Sequence, residues 1–169
     1  MPIAPQVAEA INAQIGRELG AHLQYLAIAS HFDAEGLPEL AAFFDGQAAE
    51  EHTHAMKVLD YVREAGGAVA LPGVEPPKPG FESAEEAVGL SLAWEQEVTR
   101  QIDAIMDTAI AARDHAAQAF LQWFVTEQVE EVSTMEELLR VVQRAGEGGL
   151  LLVEDYVVRR MAAEATAGE

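Results

Sequence analysis

A chain of 169 residues, half of them apolar, is long enough to bury one sizeable core. Ten Lys and Arg against 29 Asp and Glu give a formal net charge of −19, which excludes nucleic-acid binding by phosphate neutralisation and leaves a surface that draws cations. There is no cysteine, so disulfides, thiolate catalysis, rubredoxin-type sites and zinc ribbons are excluded as well.

The segment Met1-Pro2-Ile3-Ala4-Pro5 lacks the basic and apolar regions of a signal peptide. No stretch approaches the roughly 18 consecutive apolar residues of a membrane span, so the expectation is a cytoplasmic protein with no membrane partner. Helix signals begin at Pro5 and run to about Ala34, where Gly36 reads as the residue after the cap and Pro38 as the first position of the next helix. So short a break makes the two helices antiparallel neighbours. The second helix runs to about Ala65. From Gly66 to Glu82 the pairs Gly66-Gly67, Pro72-Gly73, Pro76-Pro77 and Pro79-Gly80 rule out a helix. A connection this long can cross the length of a bundle and set the third helix parallel to the second. Ser83 and Glu86 read as a capping box that starts the third helix. Its apolar phase is lost over Arg113-Asp114-His115 and resumes out of register, which predicts a tight turn there. Gly146-Glu147-Gly148-Gly149 ends the fourth helix, and a short fifth follows from Leu150 to about Ala165. Its start, Leu150-Leu151-Leu152-Val153, is apolar enough to require burial against the bundle end or another subunit. The predicted fold is all-α: a four-helix bundle with one long crossover (66–82) and a short C-terminal helix, in a single domain over residues 1–169.

Each of the four long helices carries a seam of residues in steps of four and three, and each seam has polar members. On the first it runs through Ile11, Ile15, Glu18, His22, Tyr25, Ala29 and Phe32, and on the second through Leu40, Phe44, Gln47, Glu51, His54, Val58 and Tyr61. On the third it runs through Val88, Leu92, Glu95, Thr99, Ile102, Met106 and Ala109, and on the fourth through Leu121, Phe124, Gln128, Glu131, Met135, Leu138 and Val142. Glu51 and His54, at i and i+3, reach the same point on one helix face. Counted from the turns at 1.5 Å per residue, Glu18 lies about 17 residues away, Glu51 about 15, Glu95 about 18, Gln128 about 14 and Glu131 about 17. Four seams thus place ligand-type groups in one layer. Burying carboxylates without partners costs several kcal/mol each, and the seams hold no Lys or Arg. An oxygen-rich set with one imidazole suits iron or manganese, and bridging carboxylates hold two ions about 3.5–4 Å apart. A metal-free structural bundle with a satisfied polar network, and other di-iron bundles, remain as alternative readings.

The segments from Glu18 to Tyr25, from Gln47 to Lys57 and from Phe120 to Glu131 resemble those of the non-haem bacterial ferritins, and the likeness extends over nearly the whole chain. The resemblance implies a ferritin-like bundle in a 24-subunit homo-oligomeric shell that stores and detoxifies iron. It implies a ferroxidase that oxidises Fe²⁺ with O₂ or H₂O₂ at a di-iron centre inside each subunit and deposits the ferric product in the shell. By motif, Glu18, Glu51 and His54 would hold the first iron, and Glu51, Glu95 and Glu131 the second, with Gln128 close by. Glu50, Glu127, Glu130 and Glu131 match the residues of a third iron site. Tyr25 matches a tyrosine beside the centre, and Trp123 a nearby aromatic. Haem-binding bacterioferritins have methionine where this chain has His52, and a second Glu-x-x-His where it has Gln128-x-x-Glu131, so no haem is expected. Mini-ferritins resemble the chain less, because their sites lie between subunits. His22, one turn beyond Glu18, departs from the family pattern and is expected to hydrogen-bond the site from outside, orienting Glu18. His31, His52 and His115 read as surface histidines.

Overall fold

The computed structural model describes residues 3–167, with side chains to residue 163; Met1 and Pro2 of the N-terminal segment lie outside it. The elements in order are α1 (Pro5–Ala34), α2 (Pro38–Glu64), α3 (Ala84–Ala111), α4 (His115–Ala145), a single 3₁₀ turn (Glu147–Gly149) and α5 (Leu150–Ala167). The first connection closes as the sequence suggests. Gly36 takes φ +74°, and the amides of Gly36 and Leu37 donate back to Asp33 and Phe32 at 3.1 and 2.9 Å, satisfying the last carbonyls of α1. Ser83 Oγ accepts from the Glu86 amide at 3.1 Å, while the Glu86 carboxylate reaches the amide of Glu82 rather than that of Ser83.

The turn between α3 and α4 uses the same end motif without a glycine. Arg113 sits at φ +53°, with Asp114 N donating to Ala109 O at 2.9 Å and Arg113 N to Ile110 O at 3.0 Å. Asp114 holds the turn from both sides. Its Oδ1 accepts from Ala117 N, capping α4, and its Oδ2 accepts from Ala4 N at the start of α1, each at 3.1 Å. A left-handed conformation costs a non-glycine residue about 1 kcal/mol, part of which glycine gives back through its freer unfolded chain. Arg113→Gly is therefore expected to gain about 0.5–1 kcal/mol and raise Tm by roughly 2 °C, with Arg113→Ala as the control that keeps the strained backbone.

Two apolar clusters fill the bundle. One joins the end of α1 and the start of α2 (Phe32, Leu40, Phe44) to the start of α3 (Val88) and the end of α4 (Leu138, Val142). The other joins the start of α1 (Val7, Ile11, Ile15), the end of α2 (Val58, Val62), the end of α3 (Ile102, Ala109) and the start of α4 (Leu121, Phe124). The starts of α2 and α3 therefore lie at one end of the molecule. These two helices run parallel, and the connection between them travels the length of the bundle. Two amides on α1 hold that crossover like extra strand partners. Asn12 donates to Ala68 O and accepts from Ala70 N, both at 2.9 Å; Gln24 accepts from Lys78 N at 2.9 Å and donates to Lys78 O at 3.2 Å. Between them Gly16 lets the chain come close, since a Cβ there would collide with the Pro72 ring.

The apolar start of α5 is split. Val153 and Val157 are buried in the first cluster, whereas Leu151 and Leu152 are 75% and 69% exposed on the subunit. Between the buried valines, the Glu154 carboxylate accepts from the amides of Glu39 and Leu40 at 3.0 and 2.8 Å, so it caps α2 from another helix. Glu154→Ala is expected to lose about 1–2 kcal/mol from the contact between α2 and α5. Amide hydrogen exchange across residues 150–163 should accelerate about tenfold in that variant.

Candidate metal centre

Between the two apolar clusters lies a polar layer. On α1, Glu18 falls between Ile15 of one cluster and Ala21 of the other; on α2, Glu51 and His54 fall between Ala48 and Val58. On α3, Glu95 falls between Val88 and Val98, and on α4, Gln128 and Glu131 fall between Phe124 and Met135. All six side chains are buried, Glu18 and Glu95 to 1% exposure. The seam steps explain this placement, because each residue shares its inward face with apolar neighbours three and four positions away.

The layer converges. One ligand atom from each of Glu18, Glu51 and His54 lies within 4.8 Å of the others, and the same holds for Glu51, Glu95 and Glu131. Glu51 belongs to both groups, as a carboxylate shared between two cations would. His54 Nδ1 is 3.6 Å from Glu51 Oε2. Tyr25, fully buried on α1, donates its hydroxyl to Glu95 Oε1. Gln128 Nε2 donates to Glu95 Oε2 at 3.1 Å and to the Glu95 carbonyl at 3.2 Å, with Thr99 Oγ1 at 3.4 Å. Glu95 is thereby held from two helices.

Four carboxyls in one buried layer push each other toward the neutral form. Burial is the largest cause for every one of them, raising Glu18 and Glu51 well above the ordinary carboxylate range and Glu95 above it. Glu131 is pushed up to about 9 by burial and then by Glu95, Glu50 and Glu127. The Tyr25 and Gln128 hydrogen bonds pull Glu95 back toward ionisation. A hydrogen bond between Glu18 and Glu51 favours the proton on Glu18. Tyr25 is itself raised well above the usual phenol range by burial and the neighbouring Glu95 and Glu51, so it stays a donor. Such a set takes up protons or cations, and multivalent cations best.

Residues 8–145 match the ferritin-like domain family. The chain belongs to the ferritin family. It is 42% identical over 153 residues to ferritin BfrB of Mycolicibacterium smegmatis, covering 90% of this chain and 84% of that protein. It is 36% identical over 145 residues to the bacterial non-heme ferritin of Staphylococcus aureus, covering 86% and 87% of the two. Among solved structures, the open-pore ferritin of the hyperthermophilic archaeon Archaeoglobus fulgidus superposes with a TM-score of 0.89 at 35% identity, over 92% of this chain and 97% of that one. The all-helical bundle with its short fifth helix is therefore a ferritin fold, and iron storage is the activity that family membership brings.

Around this ferritin's layer, three further acidic residues differ in placement. Glu127, half-buried, brings a ligand atom within 4.8 Å of His54 and Glu131. Glu50 is exposed and accepts from Gln47 Nε2 at 2.5 Å, yet stands close enough to raise Glu51 and Glu131. Glu130 is exposed and joins none of the convergent groups among the described residues. Trp123 meets His54 edge to face at 5.3 Å, under the Lys57 ammonium at 4.1 Å. His22 differs from its expected position. Its Nδ1 donates to the Ala48 carbonyl at 2.7 Å, and its ring faces His52 rather than Glu18, because the register of α1 against α2 aims it at the backbone of the facing helix. The group that orients Glu18 is Gln14, whose Nε2 donates to Glu18 Oε1 at 2.7 Å while its own oxygen accepts from Arg17 at 3.1 Å. Gln14 stands one turn before Glu18, and that i−4 spacing was the available signal.

Proposed function

We propose that this ferritin oxidises Fe²⁺ with O₂ or H₂O₂ at a di-iron centre inside each subunit and deposits the ferric product inside a closed shell of about 24 subunits. One observation carries the reading: four carboxylates and an imidazole are buried in one layer with no Lys or Arg among them, so only cations or protons can balance the charge. Glu18, Glu51 and His54 hold one Fe²⁺, and Glu51, Glu95 and Glu131 the other, with Glu51 between them. Gln128 and Tyr25 favour the ionised form of Glu95 against the effect of burial and aim it; Glu127 and Glu50, with Glu130 at the surface, bind iron on its way to or from the centre. Two Fe²⁺ give two electrons to one O₂, which takes two protons and leaves as H₂O₂, and the Fe³⁺ formed moves on to the mineral. Residues 1–169 act as one domain, in the cytoplasm. A layer completed within one chain favours this reading over a mini-ferritin, and its uncompensated charge favours it over a metal-free bundle.

Aerobic addition of Fe²⁺ to the purified protein, followed by ferric absorbance, tests the reaction, and native mass tests the shell. Rapid oxidation in a closed oligomer is expected. Iron oxidised no faster than in buffer would overturn the proposal.

A further inference from the structure

The amide of Gln14 meets a cation at one end and a carboxylate of the layer at the other. We propose that Arg17, acting through Gln14, is a positioning residue for the metal position built by Glu18, Glu51 and His54: it fixes which way the Gln14 amide points and so leaves Glu18 to ligate through a single oxygen. The inference rests on the iron reading above. A guanidinium has only donors, so the 3.1 Å contact from Arg17 Nη1 assigns the oxygen of the Gln14 amide to Arg17 and its NH₂ group to Glu18. Nε2 then donates to Glu18 Oε1 at 2.7 Å, and Gln14 is buried to 1% exposure. An amide turned the other way would set its oxygen against that carboxylate oxygen, acceptor to acceptor, and push Glu18 out of line. With Oε1 engaged, the other oxygen of Glu18 is the one left for a cation shared with Glu51 and His54. Gln14, Arg17 and Glu18 stand at i, i+3 and i+4, so α1 builds this chain of donors by its own spacing.

The other metal position, built by Glu51, Glu95 and Glu131, is fixed differently. Gln128 Nε2 donates to the Glu95 carbonyl as well as to Glu95 Oε2, and a backbone carbonyl can only accept, so the orientation of Gln128 needs no charged side chain. Arg17 therefore bears on one position of the two. Its place outside the layer matters as well. A guanidinium among the carboxylates would pair with them and keep iron out, whereas at one amide's remove it orders Glu18 and leaves the layer to cations.

The probe is Co²⁺, a divalent ion of similar ligand preference that can be titrated without turnover, added to the iron-free, assembled protein and followed by its visible absorbance. A pair of tight sites per subunit is expected in the parent. Arg17→Leu should weaken one of them about tenfold and leave the other, as loss of the group behind a metal ligand does. Gln14→Leu, close in volume, should give the same loss, and the double variant should be no worse than either, because both changes break one chain. Arg17→Lys, again a donor with no acceptor, should restore most of the binding. A packing role would neither stop at one site nor be rescued by lysine. Both sites unchanged in Arg17→Leu, or losses that multiply in the double variant, would overturn the role of Arg17 while leaving the centre standing. A parent that takes up no pair of Co²⁺ ions would remove the centre itself, and this proposal with it.

Discussion

Glu51→Gln loses rapid Fe²⁺ oxidation by about 10²-fold or more, the largest loss of any single change in the layer. Glu51 is the residue shared by the two groups proposed to hold the iron pair, so its removal weakens two cations at once, whereas His54→Ala weakens one of that pair and is expected to cost about tenfold. Glutamine keeps the volume, so the loss is one of charge and ligation rather than packing. Stability should move the other way. With iron absent, Glu51→Gln removes one of four buried like charges, and the metal-free variant should melt above the parent. Initial rates of ferric absorbance and thermal melts on one pair of samples check both halves. A variant as fast as the parent would remove Glu51 from the centre.

The second large effect is on the pH dependence of the metal-free protein. Carboxyls raised by burial bind more protons folded than unfolded. The stability they contribute is fully present below the ordinary carboxylate value, 4.5 for Glu131, and is lost as pH rises through the folded value of about 9. Water penetration relaxes a buried charge, so we take about 3 kcal/mol for the whole layer. Tm should then fall by ~6–12 °C between about pH 5 and pH 9. Saturating Zn²⁺ should flatten the slope by replacing the protons. The acidic surface of a chain with a formal net charge of −19 also favours lower pH, so Glu131→Gln must reduce the slope while Glu9→Gln, on an exposed position, leaves it. Equal slopes in the two variants would assign the effect to the surface.

Much of this was legible in the sequence, because periodicity reports which face of a helix is inward. All seven residues of the α4 seam, from Leu121 to Val142, are buried. On α3 the inward stripe is wider than one seam: Ser91, Val98 and Ile105 are buried, while Leu92, Thr99 and Met106 are half-buried at its edge. A helix wedged between two neighbours buries more than a narrow seam. What sequence spacing does not carry is the register of one helix against another. That register aims His22 at the carbonyl of Ala48, and it brings Glu154 under the start of α2 from over a hundred positions away. Arg113 escaped for a local reason. A left-handed residue without glycine has no composition signal, and only the phase slip around it betrayed the turn.

The crossover pinned along α1 also orders events in time. α1 pairs with α2, and α3 with α4, across connections of a few residues, so each hairpin closes at small entropic cost. Joining the hairpins means closing the much longer 66–82 loop, the slower event. Glu18, Glu51 and His54 all sit on the first hairpin, while Glu95, Gln128 and Glu131 sit on the second. A nascent chain therefore carries two incomplete half-sets, and the convergent layer exists only after the last docking step. The proposed oxidation of Fe²⁺ is in this way withheld from any chain that has not finished folding.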